Sequence, residues 1–244
     1  MSLFVSDRSL EVDISGAMHA VKLRRNAQAK KMVLRVDAVS GEIKLTAPKH
    51  VSLRSLQKFL DENIHWLMTE KAKVDARPPI ADGSMLPFLG APHQVKFNDQ
   101  PPRKVRWIGE EIHVGGPADQ APVRLLRWLK AQAKDQLSED AKYYADLLQV
   151  EYKRVSIGDM KSRWGSCSSN GTLRFNWRLV MAEPSVRRYV AAHEVAHILE
   201  MNHSDRFWHH VERCVQNYKA ERKWLKNQGQ SLMQIRFNPS QIGG

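Results

Sequence analysis

The chain has 244 residues, of which 42% are hydrophobic, and a formal net charge of +12 at pH 7. A chain of this length can bury one large core or two smaller ones. Its two cysteines, Cys167 and Cys214, exclude a disulfide framework, and no apolar run approaches the roughly eighteen residues of a membrane-spanning helix. Residues 1–9 also lack the apolar segment of a secretory signal, so we expect a cytoplasmic protein.

The N-terminal half of the chain predicts a β-rich region that contains one helix. Alternating residues at 21–36 and 42–47 predict paired strands around a turn at Ser40 and Gly41. Ser52 is the predicted N-cap of a helix, whose apolar face is formed by Leu56, Phe59, Leu60, Ile64, Leu67 and Met68. A linker follows at 77–87, and short strands are predicted at 93–97, 104–107 and 111–114. The turn beginning at Gly115 ends this basic β-rich and α region, which we assign to residues 1–116.

The C-terminal half predicts a long helix, two strands and further helices. The long helix is marked by apolar residues at helical spacing: Leu126, Leu129, Ala133, Leu137, Ala141, Tyr144 and Leu148. Strands are predicted at 150–157 and 172–180. We therefore assign residues 117–238 to a second domain, with a small sheet packed on its helices, and residues 239–244 to a tail. The predicted fold class is α+β.

The segment His193-Glu194-Val195-Ala196-His197 has the composition of a metal site on a helix. Pro184 suits the first turn of that helix, and residues 186–199 are apolar on nearly all sides, so the helix belongs in a core. Two histidines four residues apart share one helical face, where both rings can reach one ion at about 2.0–2.1 Å. Burying these polar groups is costly unless they are paired or ligated. A bound metal meets that need, and Glu194 beside it can act as a base toward water.

A third histidine, His203, follows this segment after a predicted turn. Ten residues of continuous helix would carry it about 15 Å from His193, so the chain must turn back between Leu199 and His203. Asn202 suits the turn because Asn tolerates left-handed backbone angles, and Ser204 is the predicted N-cap of the next helix. We rank His203 first as the third ligand, because a residue in the turn can fold back over the ion. Three alternatives on the next helix stay open: His209, His210 and Glu212.

Three stretches of the chain carry a family resemblance. They are Arg163-Trp164-Gly165-Ser166-Cys167-Ser168, Leu173-Arg174-Phe175-Asn176-Trp177-Arg178-Leu179, and the HEVAH motif with Asn202-His203-Ser204 and Phe207-Trp208. With them the chain resembles the YgjP-like metallopeptidases, relatives of the SprT-like and other zincin peptidases, over nearly its whole length. The resemblance implies a zincin-like metallopeptidase domain with a protein or peptide substrate. It also implies one zinc ion on His193, His197 and His203, with Glu194 as the general base.

The histidine spacing also equals that of the metzincin peptidases. In those enzymes a glycine makes the turn before the third histidine, whereas this chain has Glu200 at that position. No downstream methionine turn is identifiable either. Both departures argue against placing the chain among the metzincins.

The reaction that the motif and the resemblance predict is metal-assisted hydrolysis of an amide bond. A strand beside the metal helix can pair with an extended peptide, and residues 172–180 are our choice for that edge strand, with an interior strand as the alternative. The group that stabilises the oxyanion is left open among Arg163, Arg174 and Arg206. A further hypothesis places the Cys167 thiolate on the metal as a fourth ligand that keeps the enzyme latent, the alternative being a small buried thiol.

The positive charge is a second feature with a possible function. Residues 1–122 contain 18 basic and 14 acidic side chains, and residues 123–244 contain 20 and 12, so most of the excess lies in the second half. Residues 22–35 hold six basic side chains and no acidic one: Lys22, Arg24, Arg25, Lys30, Lys31 and Arg35. Such a patch can attract nucleic acid, although a solvated basic surface explains it equally simply. An alternative function is therefore a nucleic-acid-associated protein with a structural zinc, or a protease recruited to nucleic-acid-bound proteins.

Overall fold

The computed structural model describes residues 10–37, 40–76, 78–160 and 162–237, so the predicted tail at 239–244 lies outside the described residues. The chain divides into two compact units, Met1–Pro78 and Pro79–Gly244. Both contain helices and small sheets, which confirms the predicted α+β class. No described helix has both the length and the apolar character needed to span a membrane.

The first unit is a four-stranded sheet covered on one face by two helices. Its strands are β1 (Leu10–Ile14), β2 (Ala17–Arg25), β3 (Val33–Val36) and β4 (Ile43–Ala47), in the order β1-β2-β4-β3. Only β2 and β4 run parallel. The helices are α1 (Leu53–Glu62) and α2 (Ile64–Asp75), and the core contains Leu45, Leu56, Leu60 and Leu67.

Ser52 caps α1 as predicted, with its hydroxyl accepting from the backbone N–H of Ser55 at 3.1 Å. The single helix predicted here is divided at Asn63, whose backbone leaves helical geometry at φ −106° and ψ 14°. The Asn63 side chain donates to the Phe59 carbonyl at 2.8 Å. Asparagine often bonds to nearby backbone in this way, which competes with a continuous helix.

The second unit begins with another four-stranded sheet. Its strands are β5 (Met85–Phe88), β6 (Ala91–Asn98), β7 (Val105–Ile108) and β8 (Glu111–Gly115), in the order β5-β6-β8-β7. The buried side chains of this sheet share one core with the long helix α3 (Ala121–Leu148). The compact unit therefore starts at Pro79, whereas the glycine-rich turn in the sequence predicts a boundary after residue 116. The glycine-rich turn at that point is a connection within the core, because the apolar face of the sheet is covered by α3.

The rest of the second unit is a three-stranded sheet with four shorter helices. The strands are β9 (Arg154–Gly158), β10 (Gly165–Cys167) and β11 (Thr172–Asn176), and the helices are α4 (Pro184–Ala196), α5 (Asp205–Cys214), α6 (Tyr218–Asn227) and α7 (Gly229–Met233). The strand order is β10-β11-β9. The choice of 172–180 as an edge strand is therefore wrong, since β11 is interior and β10 forms the edge.

The strand predicted at 172–180 also ends early, at Asn176. This buried side chain accepts the backbone N–H of Arg178 at 3.1 Å and starts a 3₁₀ helix over Trp177–Met181. Its amide group donates to the Met160 carbonyl at 2.7 Å, which ties down the loop that precedes β10. Because the Asn176 side chain bonds to the next turn of backbone, that backbone forms a 3₁₀ helix and does not continue the strand.

A buried ion pair joins α4 to α3. Arg187 Nε lies 2.6 Å from Asp140 Oδ2, and the two side chains are only 4% and 9% exposed. Each charge would be costly to bury alone, so the pair constrains how the two helices pack. Pro184 occupies the first turn of α4, as predicted.

Candidate metal centre

Three imidazole rings converge at the end of α4. His193 lies in the last turn of this helix, His197 is its C-cap, and His203 follows in the turn before α5. One ring nitrogen of each residue lies within 4.8 Å of the other two. The Nε2 atoms of His193 and His203 are 3.2 Å apart. Two nitrogens bound at 2.0–2.1 Å to one tetrahedral ion are roughly 3.3 Å apart, so the rings fit a shared metal.

The protonation of these rings also suits a metal. Burial, together with the imidazoles of His197 and His203, lowers the pKa of His193 to about 3. Burial also lowers the pKa of His197. His197 Nδ1 lies 3.0 Å from the Glu200 carbonyl, an acceptor that requires Nδ1 to carry the proton and leaves the Nε2 lone pair for an ion. Hydrogen bonds of this kind orient metal-binding histidines in proteins.

The Phe207 ring packs against all three histidine rings. It is completely buried, and its ring centroid lies 4.8 Å from that of His193, 4.4 Å from His197 and 4.8 Å from His203. Phe207 is in the first turn of α5, which begins after Ser204. Ser204 caps this helix as predicted, with its hydroxyl accepting from the Phe207 N–H at 3.4 Å. The helix start therefore sets the packing of the cluster.

The turn that carries His203 differs from the expectation. Asn202 has no positive φ; instead its Oδ1 accepts the Ser204 N–H at 2.9 Å, and its Nδ2 donates to Glu200 Oε1 at 2.7 Å. These side-chain bonds form the turn, in place of the left-handed backbone that the residue type predicts. Glu200 has no positive φ either, so a glycine is not required at this position.

Glu194 is buried between α4 and the edge strand β10, with an exposed fraction of 5%. The backbone N–H of Cys167 donates to the Glu194 carboxyl group, and the positive charge of Arg163 acts on that group electrostatically. Burial raises the pKa of Glu194 to about 8, against the opposing effects of these two neighbours. A carboxyl group with a pKa near neutrality can both accept and release a proton at physiological pH.

The glycine of the W-G-S-C segment makes room for this carboxyl group. A Cβ atom on Gly165 would lie 2.4 Å from Glu194 Oε1 and 2.6 Å from its Cγ, closer than real contacts allow. The preceding Trp164 packs on Gly229 of α7, where an added Cβ would come within 2.8 Å of the indole. The segment is thus anchored on one side and open to Glu194 on the other.

We expect Gly165→Ala to lower kcat/KM by about a hundredfold, because displacing a reacting group by about 1 Å can cost this much. The added methyl group must push the Glu194 carboxyl out of place. Steady-state kinetics, metal content and thermal unfolding should be measured together, with Ser166→Ala in the same strand as the control. Unchanged kinetics in Gly165→Ala would show that the position of Glu194 does not matter.

Other predicted candidates are not brought to the three rings. Among the described residues, the group that could hold a metal ion contains His193, His197 and His203 and none of the alternatives His209, His210 or Glu212. Cys167 is also outside this group. Burial, with the charge of Glu194 as a smaller cause, raises the pKa of Cys167 to about 11, and its thiol donates to the Ser168 carbonyl at 3.5 Å. A neutral thiol directed elsewhere does not support a latent thiolate ligand.

Two parts of the site were missed by the sequence analysis. One is the backbone of β10 against Glu194, and the only local signal for it is Gly165 within a strand. The other is a set of stacked side chains from α4, α5 and α6: Tyr189, Trp208, Tyr218 and Arg222. The spacing of Tyr218 and Arg222, four residues apart on α6, is a signal that the two share a face.

The basic stretch at 22–35 is divided among several roles. Lys22 and Arg24 of β2 and Arg35 of β3 are exposed and alternate with buried or half-buried residues, so they lie on the outer face of the first sheet. Lys22 Nζ is 3.5 Å from Glu42 Oε1. The Arg25 guanidinium donates to three backbone carbonyls, those of Pro48, Lys49 and Val51. Part of the stretch is therefore structural, and nucleic-acid binding stays a prediction.

The architecture is that of a mixed α+β protein with a three-histidine site and a buried carboxyl group beside it. Residues 30–228 match the family model of the YgjP-like metallopeptidase domain. The chain therefore belongs to the YgjP-like metallopeptidase family, as its motifs predict.

Comparison with solved structures finds the metallopeptidase zymogen of Pyrococcus abyssi abylysin, a crystal structure. It shares 21% sequence identity with this chain, and the match covers 42% of this chain and 99% of that one, with a TM-score of 0.33. No curated protein gives a significant match to the sequence.

Proposed function

We propose that this protein is a zinc-dependent metallopeptidase in which His193, His197 and His203 hold one zinc ion and Glu194 is the general base. The observation that carries the proposal is the convergence of three imidazole nitrogens within 4.8 Å, with a buried carboxyl group next in sequence to the first of them. Membership of a metallopeptidase family supports a metal and a peptide substrate.

The donor set favours zinc. Three neutral imidazoles form a common catalytic zinc site, which keeps a fourth position open for water or substrate. A structural zinc site is closed by four protein ligands, and the described residues supply three to this cluster. This count speaks against the alternative of a nucleic-acid-associated protein with a structural zinc.

The proposed mechanism assigns the proton transfers to Glu194. When bound, zinc would polarise the scissile carbonyl group and lower the pKa of a water molecule. Glu194 then accepts the proton of the attacking water and delivers it to the leaving amine. The Cys167 N–H holds the carboxyl group in place during both transfers.

We assign the stabilisation of the oxyanion to Arg163. Its positive charge acts electrostatically on Glu194, which favours Arg163 over the other candidates. The two other candidates are engaged elsewhere. The Arg174 guanidinium lies against Gly158 in the strand β9, and Arg206 Nε is 3.8 Å from Glu200 Oε2.

The substrate would extend the sheet at β10. Backbone bonds join β10 to β11 at Trp164 with Asn176 and at Ser168 with Thr172. Hydrogen-bonded pairs alternate along an antiparallel ladder, so the backbone groups of Gly165 and Cys167 point away from β11. The Cys167 N–H is engaged by Glu194, which leaves the Gly165 N–H and the carbonyl groups of Gly165 and Cys167 for the peptide. A peptide pairing there would run alongside Glu194.

The experiment that tests this function is metal replacement on the full chain. Elemental analysis of protein purified without added zinc should give about one zinc per chain, and the protein should cleave a mixture of unstructured peptides followed by mass spectrometry. Removing the metal with a chelator should stop cleavage, and one equivalent of zinc should restore it. Absence of zinc even after replenishment, or cleavage that survives complete removal of metal, would contradict the proposal.

A further inference from the structure

A stack of aromatic rings extends from the histidine cluster to a guanidinium group. The Trp208 ring centroid lies 5.8 Å from that of His203 and 5.9 Å from that of His193. Tyr218 stacks on Trp208 at 5.1 Å with an angle of 13° between the rings. Arg222 Cζ lies 4.7 Å from the centroid of the Trp208 ring. We call Trp208, Tyr218 and Arg222 the stacked cluster.

The stacked cluster holds a positive charge in a defined place beside the metal centre. A guanidinium over the face of a tryptophan is attracted by the ring and loses part of its freedom of movement. The Trp208 ring that holds the Arg222 guanidinium is itself within 6 Å of two histidine rings, 5.8 Å from His203 and 5.9 Å from His193. The arginine is thus near the centre without contributing a ligand to it.

Arg222 differs from other arginines near the site in its partners. Arg206 lies 3.8 Å from a carboxylate oxygen of Glu200, and Arg187 pairs with Asp140. Arg222 is exposed, and no carboxylate of the described residues lies within 4.0 Å of it. A fixed guanidinium with exposed donors is the preferred protein partner of a carboxylate, which it binds through two parallel hydrogen bonds.

We propose that Arg222 is a specificity-determining residue that binds a carboxylate of the peptide substrate, supplied by an acidic side chain or by a free C-terminus. The inference rests on the proposed peptidase function and names the substrate class for that site. Trp208 is the positioning residue, because its ring fixes the face of the guanidinium and leaves the N–H groups at its edge available. The enzyme therefore prefers acidic peptides, or peptides that end close to the scissile bond.

The probes are peptide hydroxamates, whose hydroxamate group binds zinc independently of turnover. Four versions of one short peptide are used: Glu or Gln as the residue after the hydroxamate, each with a free or an amidated C-terminus. Calorimetry on the zinc-loaded full chain measures Kd for each. We expect one of the two carboxylates to tighten binding by about tenfold to a hundredfold relative to the neutral amidated Gln peptide, in line with hydrogen bonds to charged groups.

The variants are Arg222→Gln, Arg222→Lys and, as the matched control, Lys223→Gln, which removes one positive charge from the adjacent position of α6. Arg222→Gln should abolish the preference while leaving the Kd of the neutral peptide and the zinc content unchanged. Arg222→Lys should retain only part of it, and Lys223→Gln all of it. The Glu and C-terminal arms identify which carboxylate is bound.

Three outcomes would overturn the inference; the first two leave the peptidase site standing and the third does not. If the wild type binds all four probes equally, Arg222 has no role in specificity, and the three-histidine peptidase site still stands. The same holds if Lys223→Gln abolishes the preference as completely as Arg222→Gln, because the effect would then be one of general charge. If none of the probes binds the zinc-loaded protein, the proposed function fails and the inference fails with it.

Discussion

Glu194→Gln is expected to lower kcat by about 10²–10⁴-fold, the usual contribution of a general base. Glutamine has the same shape, and its carbonyl oxygen can still accept the Cys167 N–H that holds the native carboxyl group. It cannot accept the proton of an attacking water, so the chemical step should be slow. Because the shape of the side chain is kept, substrate binding and zinc content should be unchanged. The measurements are single-turnover peptide cleavage and elemental analysis on the same preparation.

Glu200→Gln is the matched control for this prediction. The Glu200 side chain accepts from Asn202 and lies 3.8 Å from Arg206, while its contact with His197 is made by the backbone carbonyl. Neutralising it keeps that carbonyl, so we expect a small change in kcat. Near-normal turnover by Glu194→Gln, or an equally severe loss in Glu200→Gln, would exclude Glu194 as the specific base.

His203→Ala is expected to cause a large loss of metal affinity. Losing a hydrogen-bond partner of a zinc ligand typically weakens metal binding about 10–100-fold, so losing the ligand itself should cost more than about 100-fold. His203 is exposed and lies in a turn that is held by Asn202 and Ser204 through their own hydrogen bonds. The variant should therefore fold normally. Competition with a zinc chelator measures the affinity, and circular dichroism checks the fold.

His209→Ala is the control for the third ligand, since this exposed histidine is six residues further on and lies outside the cluster. It should keep the affinity of the wild type for zinc. Glu212→Ala should do the same. If His203→Ala retained zinc while Glu212→Ala lost it, the site would instead be one of two histidines and a glutamate.

The proposed ligands could be read from the sequence because they depend on local geometry. His193 and His197 are one helical turn apart, and this relation holds in any helix whatever packs on it. The sequence predicts that the chain turns back before His203, because an α-helix rises by a fixed distance per residue. It predicts the Ser204 cap from the chemistry of the serine side chain. The turn itself was misjudged at Asn202, because the same residue can turn the chain through its backbone angles or through side-chain hydrogen bonds.

The domain boundary and the edge strand could not be obtained in this way. A glycine-rich turn after β8 looks the same whether the next helix begins a new core or covers the preceding sheet. The alternation in β11 shows that one face is buried, but it does not reveal whether neighbouring strands lie on one side or on both. Both questions concern contacts between segments that are distant along the chain.

The sequence by itself determined the family, the α+β class and the candidate metal-binding segment, because these are expressed in short motifs and in helical spacing. Only the tertiary structure placed Gly165 and the Cys167 N–H against Glu194, almost thirty residues away, and set Arg222 on Trp208 beside the histidines. The physical reason is that a ligand set on one helix and turn is a matter of local backbone geometry. The surroundings of the buried Glu194 carboxyl group and of the Arg222 guanidinium depend instead on how separate elements pack.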